Sequence, residues 1–251
     1  MVLTALRGAL GFLTRLPVGR TPRAWEAFCA TPAAFPLAGY PVGVALALPV
    51  LIGSFLGLEA DLTAFAFLLA VYAVTGVAHA DAVADLGDAA AVHGDVDRRR
   101  EVLKDSAVGV GAVLALGLVL LGTWTAVARL AALPVRAVGL VVAAEVGAKL
   151  AMATVACLGD ATHDGLGAAV SDAHDARSLL LPVLVALPAA LATYPNPAAA
   201  VALAAAGLAA LCVLAWASRR LGGSNGDVVG ASNELARLAA LLTGVIAWTL
   251  W

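Results

Sequence analysis

Three aspartates, Asp81, Asp85 and Asp88, stand at i, i+4 and i+7 within the stretch from His79 to Ser106, HADAVADLGDAAAVHGDVDRRREVLKDS. On a helix that spacing gathers the carboxylates within roughly 60° of arc and turns Val83 and Leu86 away. Like charges on one stripe repel unless a cation sits among them. Asp is at best a moderate helix former, so local structure alone does not account for the choice. Mg²⁺ takes oxygen ligands and keeps coordination positions for substrate phosphates. The pattern predicts Mg²⁺ held by Asp81, Asp85 and Asp88 at the mouth of a helical bundle. A solvated loop between two spans is the competing reading of the same residues.

The neighbours of the stripe divide in the same way. His79 reads either as an interfacial hydrogen bonder or as a group that orients a phosphate or moves a proton. Arg98, Arg99, Arg100 and Lys104 read as an anchor on the inner membrane face or as a clamp on an anionic substrate. Lys104, Asp105 and Ser106 then predict the N-cap of the next span and an anion-binding helix end. A second concentration, Gly222-Gly223-Ser224-Asn225-Gly226-Asp227, lets backbone approach phosphate closely and adds the Asn225 amide and the Asp227 carboxylate. Asn233 and Glu234 follow it. Glu145 and Lys149, at i and i+4 in an apolar run, predict an internal ion pair that is structural or touches substrate. His163, Asp164, His174 and Asp175 match no metal-ligand spacing and read as a solvated loop.

The elements that must position these groups are apolar. Of 251 residues, 62% are hydrophobic and 13% charged, with mean hydropathy +0.96. Soluble domains carry about 25% charged residues. The expected fold is an all-α polytopic membrane protein, a bundle of about seven transmembrane helices with an N-terminal interfacial helix. Apolar runs at 37–57, 62–78, 107–133, 137–158, 179–194, 198–217 and 235–251 give the count, at about 20 residues per span. Leu3, Leu6, Leu10 and Leu13 place the interfacial helix in residues 1–17, without the pattern of a cleavable signal peptide. Residues 18–36 read as an extended connection. The whole chain forms one membrane domain, with catalytic loops at 79–106 and 218–234.

With seven spans, most Arg and Lys residues fall on one face, which the positive-inside rule makes cytoplasmic in the plasma membrane. The acidic stripe shares that face. A net charge of −2 and no basic groove give no nucleic-acid partner. Cys29, Cys157 and Cys212 are scattered and define neither a zinc site nor a disulfide framework.

Four ordered motifs then stand out. They are Phe12-x-Thr14-Arg15-x-Pro17; His79-x-Asp81 with Ala84, Asp85 and Asp88; Lys104-Asp105-Ser106-x-x-Gly109; and Gly222-Gly223-x-x-Gly226-Asp227-x-x-Gly230-Ala231-x-x-Glu234. Together they resemble the cobalamin synthase family, the adenosylcobinamide-GDP ribazoletransferases, over nearly the whole chain. The resemblance implies a Mg²⁺-dependent transferase that joins adenosylcobinamide-GDP to α-ribazole or its 5′-phosphate, releasing GMP. It implies catalytic roles for His79, Asp81, Asp85, Asp88 and Asp227, and substrate binding by Arg15, Arg98, Lys104, Asp105, Ser106, Asn225 and Glu234. It also leaves room for a homo-oligomer or association with other enzymes of the pathway at the bilayer. Ala82 and Ala89 stand where the family usually has Gly. Arg237 stands where it usually has an acid, and Glu145 and Lys149 where it often shows a Ser-Arg pair. Two other readings remain at this level. A CDP-alcohol phosphotransferase would need an Arg after Ala84, and a cation transporter would need an ionisable path through the membrane midplane.

Overall fold

Backbone amides that meet hydrocarbon must be bonded within their own segment, so a chain this apolar is expected to be helical. The computed structural model describes residues 2–160 and 174–251, and among these every regular element is helical. The α-helices are α1 (Val2–Leu13), α2 (Pro22–Cys29), α3 (Ala34–Leu56), α4 (Ala60–Thr75), α5 (Ala78–Ala91) and α6 (Val96–Val102). They continue with α7 (Val110–Ala131), α8 (Gly139–Leu158), α9 (Leu180–Ala186), α10 (Ala198–Arg220) and α11 (Gly226–Leu250).

Helix α8 is the axis, packed against α3, α10 and α11. Every residue from Ala143 to Cys157 is buried, as expected of a helix that is apolar on all sides. Small residues bring its neighbours close. A Cβ at Gly39 or Gly43 of α3 would lie 2.7 or 2.8 Å from the Cα of Val146 or Val142. This is a small-xxx-small seam of the kind that joins helices in membranes.

Four helical segments are long and apolar enough to cross a membrane: α3, α7, α10, and α8 with the 3-10 turn before it. The bent pair α4 and α5 would make five. The expected count of about seven is not reached, for physical reasons. Helix α4 has 16 residues, and the chain turns by 100° at its end, where Gly76 takes φ +73°. The run at 179–194, with Pro182 and Pro188, is divided into a 3-10 turn, α9 and a second 3-10 turn. Helix α11 has the length but carries Asp227, Glu234 and Arg237 in its first half.

The N-terminal segment also differs from its expectation. Residues 18–36 are not wholly extended, because Thr21 caps α2 and Pro22 opens it. Helix α1 turns Ala5, Gly8, Ala9 and Leu13 inward, while Leu3 faces out. Gly8 is required there, since any Cβ would strike the Ala24 carbonyl of α2.

Candidate functional site

The site is built on α5. Its 14 residues span about 21 Å, too short to cross hydrocarbon of about 30 Å, and it lies outside the four spans. Its buried face, Ala82, Val83, Leu86 and Ala89, packs on α11 and α7. Gly230 of α11 makes room for Ala82, whose Cβ would stand 2.8 Å from a Cβ at 230. Ala82 therefore fills the space that Gly230 leaves.

Asp88 closes the other end. Its Oδ2 accepts the Gly109 amide at 2.7 Å and its Oδ1 the Ala112 amide at 2.9 Å. Gly109 is the N-cap residue of α7 and has no side chain to cap with, so Asp88 does this from another helix. A Cβ at 109 would collide with that carboxylate. The expected cap at Lys104-Asp105-Ser106 is thus corrected: α7 begins at Val110, and a carboxylate of the chain already holds its first amides. Asp105 accepts the Ala107 amide at 3.0 Å, and Lys104 and Ser106 are exposed.

Asp85 is crowded by the other carboxylates. Partial burial, then Asp227, Asp81 and Asp88, push its pKa up to about 6. Burial also pushes up Asp227, in the first turn of α11, with the Asp81 charge adding to the effect and the Asn225 amide opposing it. The first and last acidic motifs therefore meet at the end of the bundle where α7 and α11 begin. Asn225 caps α11 by accepting the Val228 amide at 3.0 Å, while its Nδ2 donates to Asp227 Oδ2 at 3.0 Å. It orients a carboxylate. Gly222 and Gly223, at φ +72° and +147°, form the turn before it.

The arginine run is spent on structure. Buried Arg99 donates to the Ala89 and Ala90 carbonyls at the end of α5. Arg100 Nε donates to the Leu221 carbonyl at 2.8 Å, its guanidinium lying against Gly222. Arg98 pairs with Glu101 at 2.9 Å on the surface. Arg15 lies beside the hinge, its Nε 2.9 Å from where a Cβ on Gly76 would be, and its amide donates to the Val74 carbonyl.

Behind the acids is a buried polar network. Arg237 of α11 binds Glu145 of α8 through Nε and Nη2 and Glu234 through Nη1. Lys149 Nζ lies 3.3 Å from Glu145 Oε2 and donates to Asn233 Oδ1 at 2.7 Å. Asn233 Nδ2 donates to Glu234 Oε1 at 2.9 Å and faces His79 Nδ1 at 3.2 Å. Lys149 can only donate, so it fixes which way the Asn233 amide points. His79 Nδ1 must then accept, which places the imidazole proton on Nε2. Burial, with Lys149 adding, pushes the His79 pKa down to about 4, so the ring is neutral. His79 is an N–H donor rather than a cation.

The expected Glu145–Lys149 pair is present, but Arg237 completes it. Its signal in the sequence was an arginine within an apolar stretch, a position that demands a buried partner. His174 Nε2 donates to the Cys29 carbonyl at 2.7 Å, and Asp175 caps a 3-10 turn. His163 and Asp164 lie outside the described residues. Among the described residues, no three His, Cys, Asp or Glu side chains converge as a ready-made metal cage. The donor chemistry at α5 is nevertheless all oxygen, and the raised Asp85 marks a surplus of negative charge. Both fit a hard divalent ion whose remaining ligands come from water and phosphate.

A helical bundle with candidate membrane spans, carrying four carboxylates at one end over a buried ion-pair network, defines an integral membrane protein with an acidic polar site. The family model described as Cobalamin-5-phosphate synthase matches residues 5–245, and the chain belongs to that family. It is 54% identical to an adenosylcobinamide-GDP ribazoletransferase of Halorubrum lacusprofundi, over 99% of each chain. It is 45% identical to one of Haloquadratum walsbyi over the full length of both. A relative of that name from Bradyrhizobium diazoefficiens is 34% identical over 96% of this chain and 93% of its own. No solved structure matches.

Proposed function

We propose that this chain catalyses the reaction its relatives are named for, joining adenosylcobinamide-GDP to α-ribazole, or to α-ribazole 5′-phosphate. The products are adenosylcobalamin, or its 5′-phosphate, and GMP. The observation that carries the reading is the meeting of Asp81, Asp85 and Asp88 with Asp227, two motifs far apart in sequence, in a chain matched by the family from residue 5 to 245.

In this reading the ribazole 3′-hydroxyl attacks the phosphorus carried by the cobinamide. A P–O bond forms there, the P–O bond to GMP breaks, and the hydroxyl loses its proton. Asp227, raised by burial and held by Asn225, is placed to take that proton. His79 offers its Nε2 proton to a phosphate oxygen, and Arg15 and Lys104, which have no ion-pair partner among the described residues, meet substrate charge at the rim. Asp81 and Asp85, with the remaining lone pairs of Asp88, are the seat for Mg²⁺. A bound ion there would offset diphosphate charge and polarise the phosphoryl group. The Arg and Lys residues in the segments around the acidic stripe support a cytoplasmic setting for this face, with the helices crossing the plasma membrane.

The test is GMP release by the purified protein in detergent. GMP is expected only when both substrates and Mg²⁺ are present, and Asp85→Asn should abolish it. Normal turnover and normal Mg²⁺ dependence in Asp85→Asn would overturn the assignment.

A further inference from the structure

Helices α7 and α10 both pack on α11 but not closely on each other. The gap between them is a groove of about 530 Å³ with an almost wholly apolar lining, closed at one end by the apolar face of α5. Leu86 of α5, Leu118 of α7, Cys212 and Trp216 of α10 and Leu235 of α11 line it. Leu118 is 69% exposed and Cys212 is exposed, so the groove opens sideways, where α7 and α10 present apolar residues outward. An apolar surface of this kind would be costly in water and is suited to a hydrocarbon chain.

The polar end of the groove indicates what kind of chain. On α10, Cys212, Trp216 and Arg220 follow at i, i+4 and i+8, with Arg219 at i+7, so all four lie along one side of the helix. The order is apolar thiol, indole, then two cations, over about two turns of helix. It matches a membrane boundary, where Trp sits at the headgroup level and Arg beyond it. Arg219 and Arg220 are exposed, and neither side chain has a hydrogen bond or ion pair among the described residues. Two unpaired guanidiniums at the head of an apolar groove complement a phosphate ester joined to an acyl or alkyl chain.

We propose that this groove is a binding site for one anionic phospholipid, its tail between α7 and α10 and its phosphate on Arg219 and Arg220. The tail would bear on Leu86, across α5 from the acidic stripe, so that lipid supports the helix carrying the site. The inference rests on the membrane placement of α7 and α10 and not on the catalytic assignment.

The test counts lipid directly. The full-length protein is purified from vesicles of equal parts phosphatidylglycerol and phosphatidylcholine, and retained lipid is measured by native mass spectrometry. One retained phosphatidylglycerol per chain is expected, at about tenfold preference over phosphatidylcholine. Arg219→Gln with Arg220→Gln should abolish the preference and keep the tail. Cys212→Trp, which fills the groove from an exposed position, should lose the lipid, whereas Leu48→Trp, exposed on α3, should keep it. Equal retention of the two lipids by the parent protein, or undiminished retention by Cys212→Trp, would overturn the proposal. So would a Cys212–Cys212 disulfide dimer formed under mild oxidant, which would assign the groove to a second copy of the chain.

Discussion

The Asp88 carboxylate accepts the Gly109 amide at 2.7 Å, which ties the acidic motif of α5 to the motif that opens α7. One aspartate of the stripe therefore has a capping task that the other two lack among the described residues. Asp88→Ala should remove a two-point cap and lower stability by about 1–2 kcal/mol. Gly109→Ala should do the same by collision. Asp85→Asn should lose GMP release with no fall in the thermal midpoint, because the crowded carboxylate it replaces opposes the fold at neutral pH. Thermal unfolding in detergent separates the two behaviours, and an Asp88→Ala protein as stable as the parent would contradict the cap.

Glu145 and Arg237 form the second such tie. With Lys149 and Glu234 they make a buried set of two acids and two bases. Removing one member leaves an uncompensated charge, so Arg237→Met should cost about 3–5 kcal/mol. Glu145→Gln with Arg237→Gln should cost clearly less than the sum of the single changes. A double-mutant cycle on the unfolding midpoint measures the difference, and additivity would show that the pair does not act as a unit.

These two ties mark how far the sequence could be read. The spacing of Asp81, Asp85 and Asp88 was enough to place them on one helical face, and Glu145 to Lys149 was enough to pair them, because both follow from helical period. The cap on α7 was not legible, since its donor and acceptor are 21 residues apart and belong to different helices. The structural task of Arg99 and Arg100 was hidden for a related reason. Arg99 and Arg100 bind backbone carbonyls whose exposure depends on where α5 and α10 end. Span counting failed where apolar composition was present but length was not, as at Gly76 and around Pro182 and Pro188.

The Lys149–Asn233–His79 chain yields a spectroscopic prediction. With the Asn233 amide held by Lys149, the His79 Nδ1 is unprotonated at neutral pH, and its ¹⁵N shift should show this in the imidazole-labelled protein. Asn233→Asp keeps a partner for Lys149 but offers His79 only an acceptor, so Nδ1 should become protonated. A protonated Nδ1 in the parent protein would contradict the hydrogen-bond order at 2.7 and 3.2 Å.

Asp85 supplies the pH dependence. Its folded pKa, about 6, lies above the ordinary 3.8, so between those values the folded protein binds more protons than the unfolded chain. Its contribution therefore favours the fold at and below about pH 4 and is lost as pH rises toward 6. In metal-free protein the unfolding midpoint should fall across that window by more in the parent than in Asp85→Asn. Mg²⁺ favours the ionised carboxylate, so adding it should shrink the difference between the two proteins. Thermal unfolding from pH 4 to 7, with chelator and then with Mg²⁺, makes the comparison. Identical slopes in the parent and in Asp85→Asn under chelator would show that the crowding of Asp85 by Asp227, Asp81 and Asp88 has no energetic consequence.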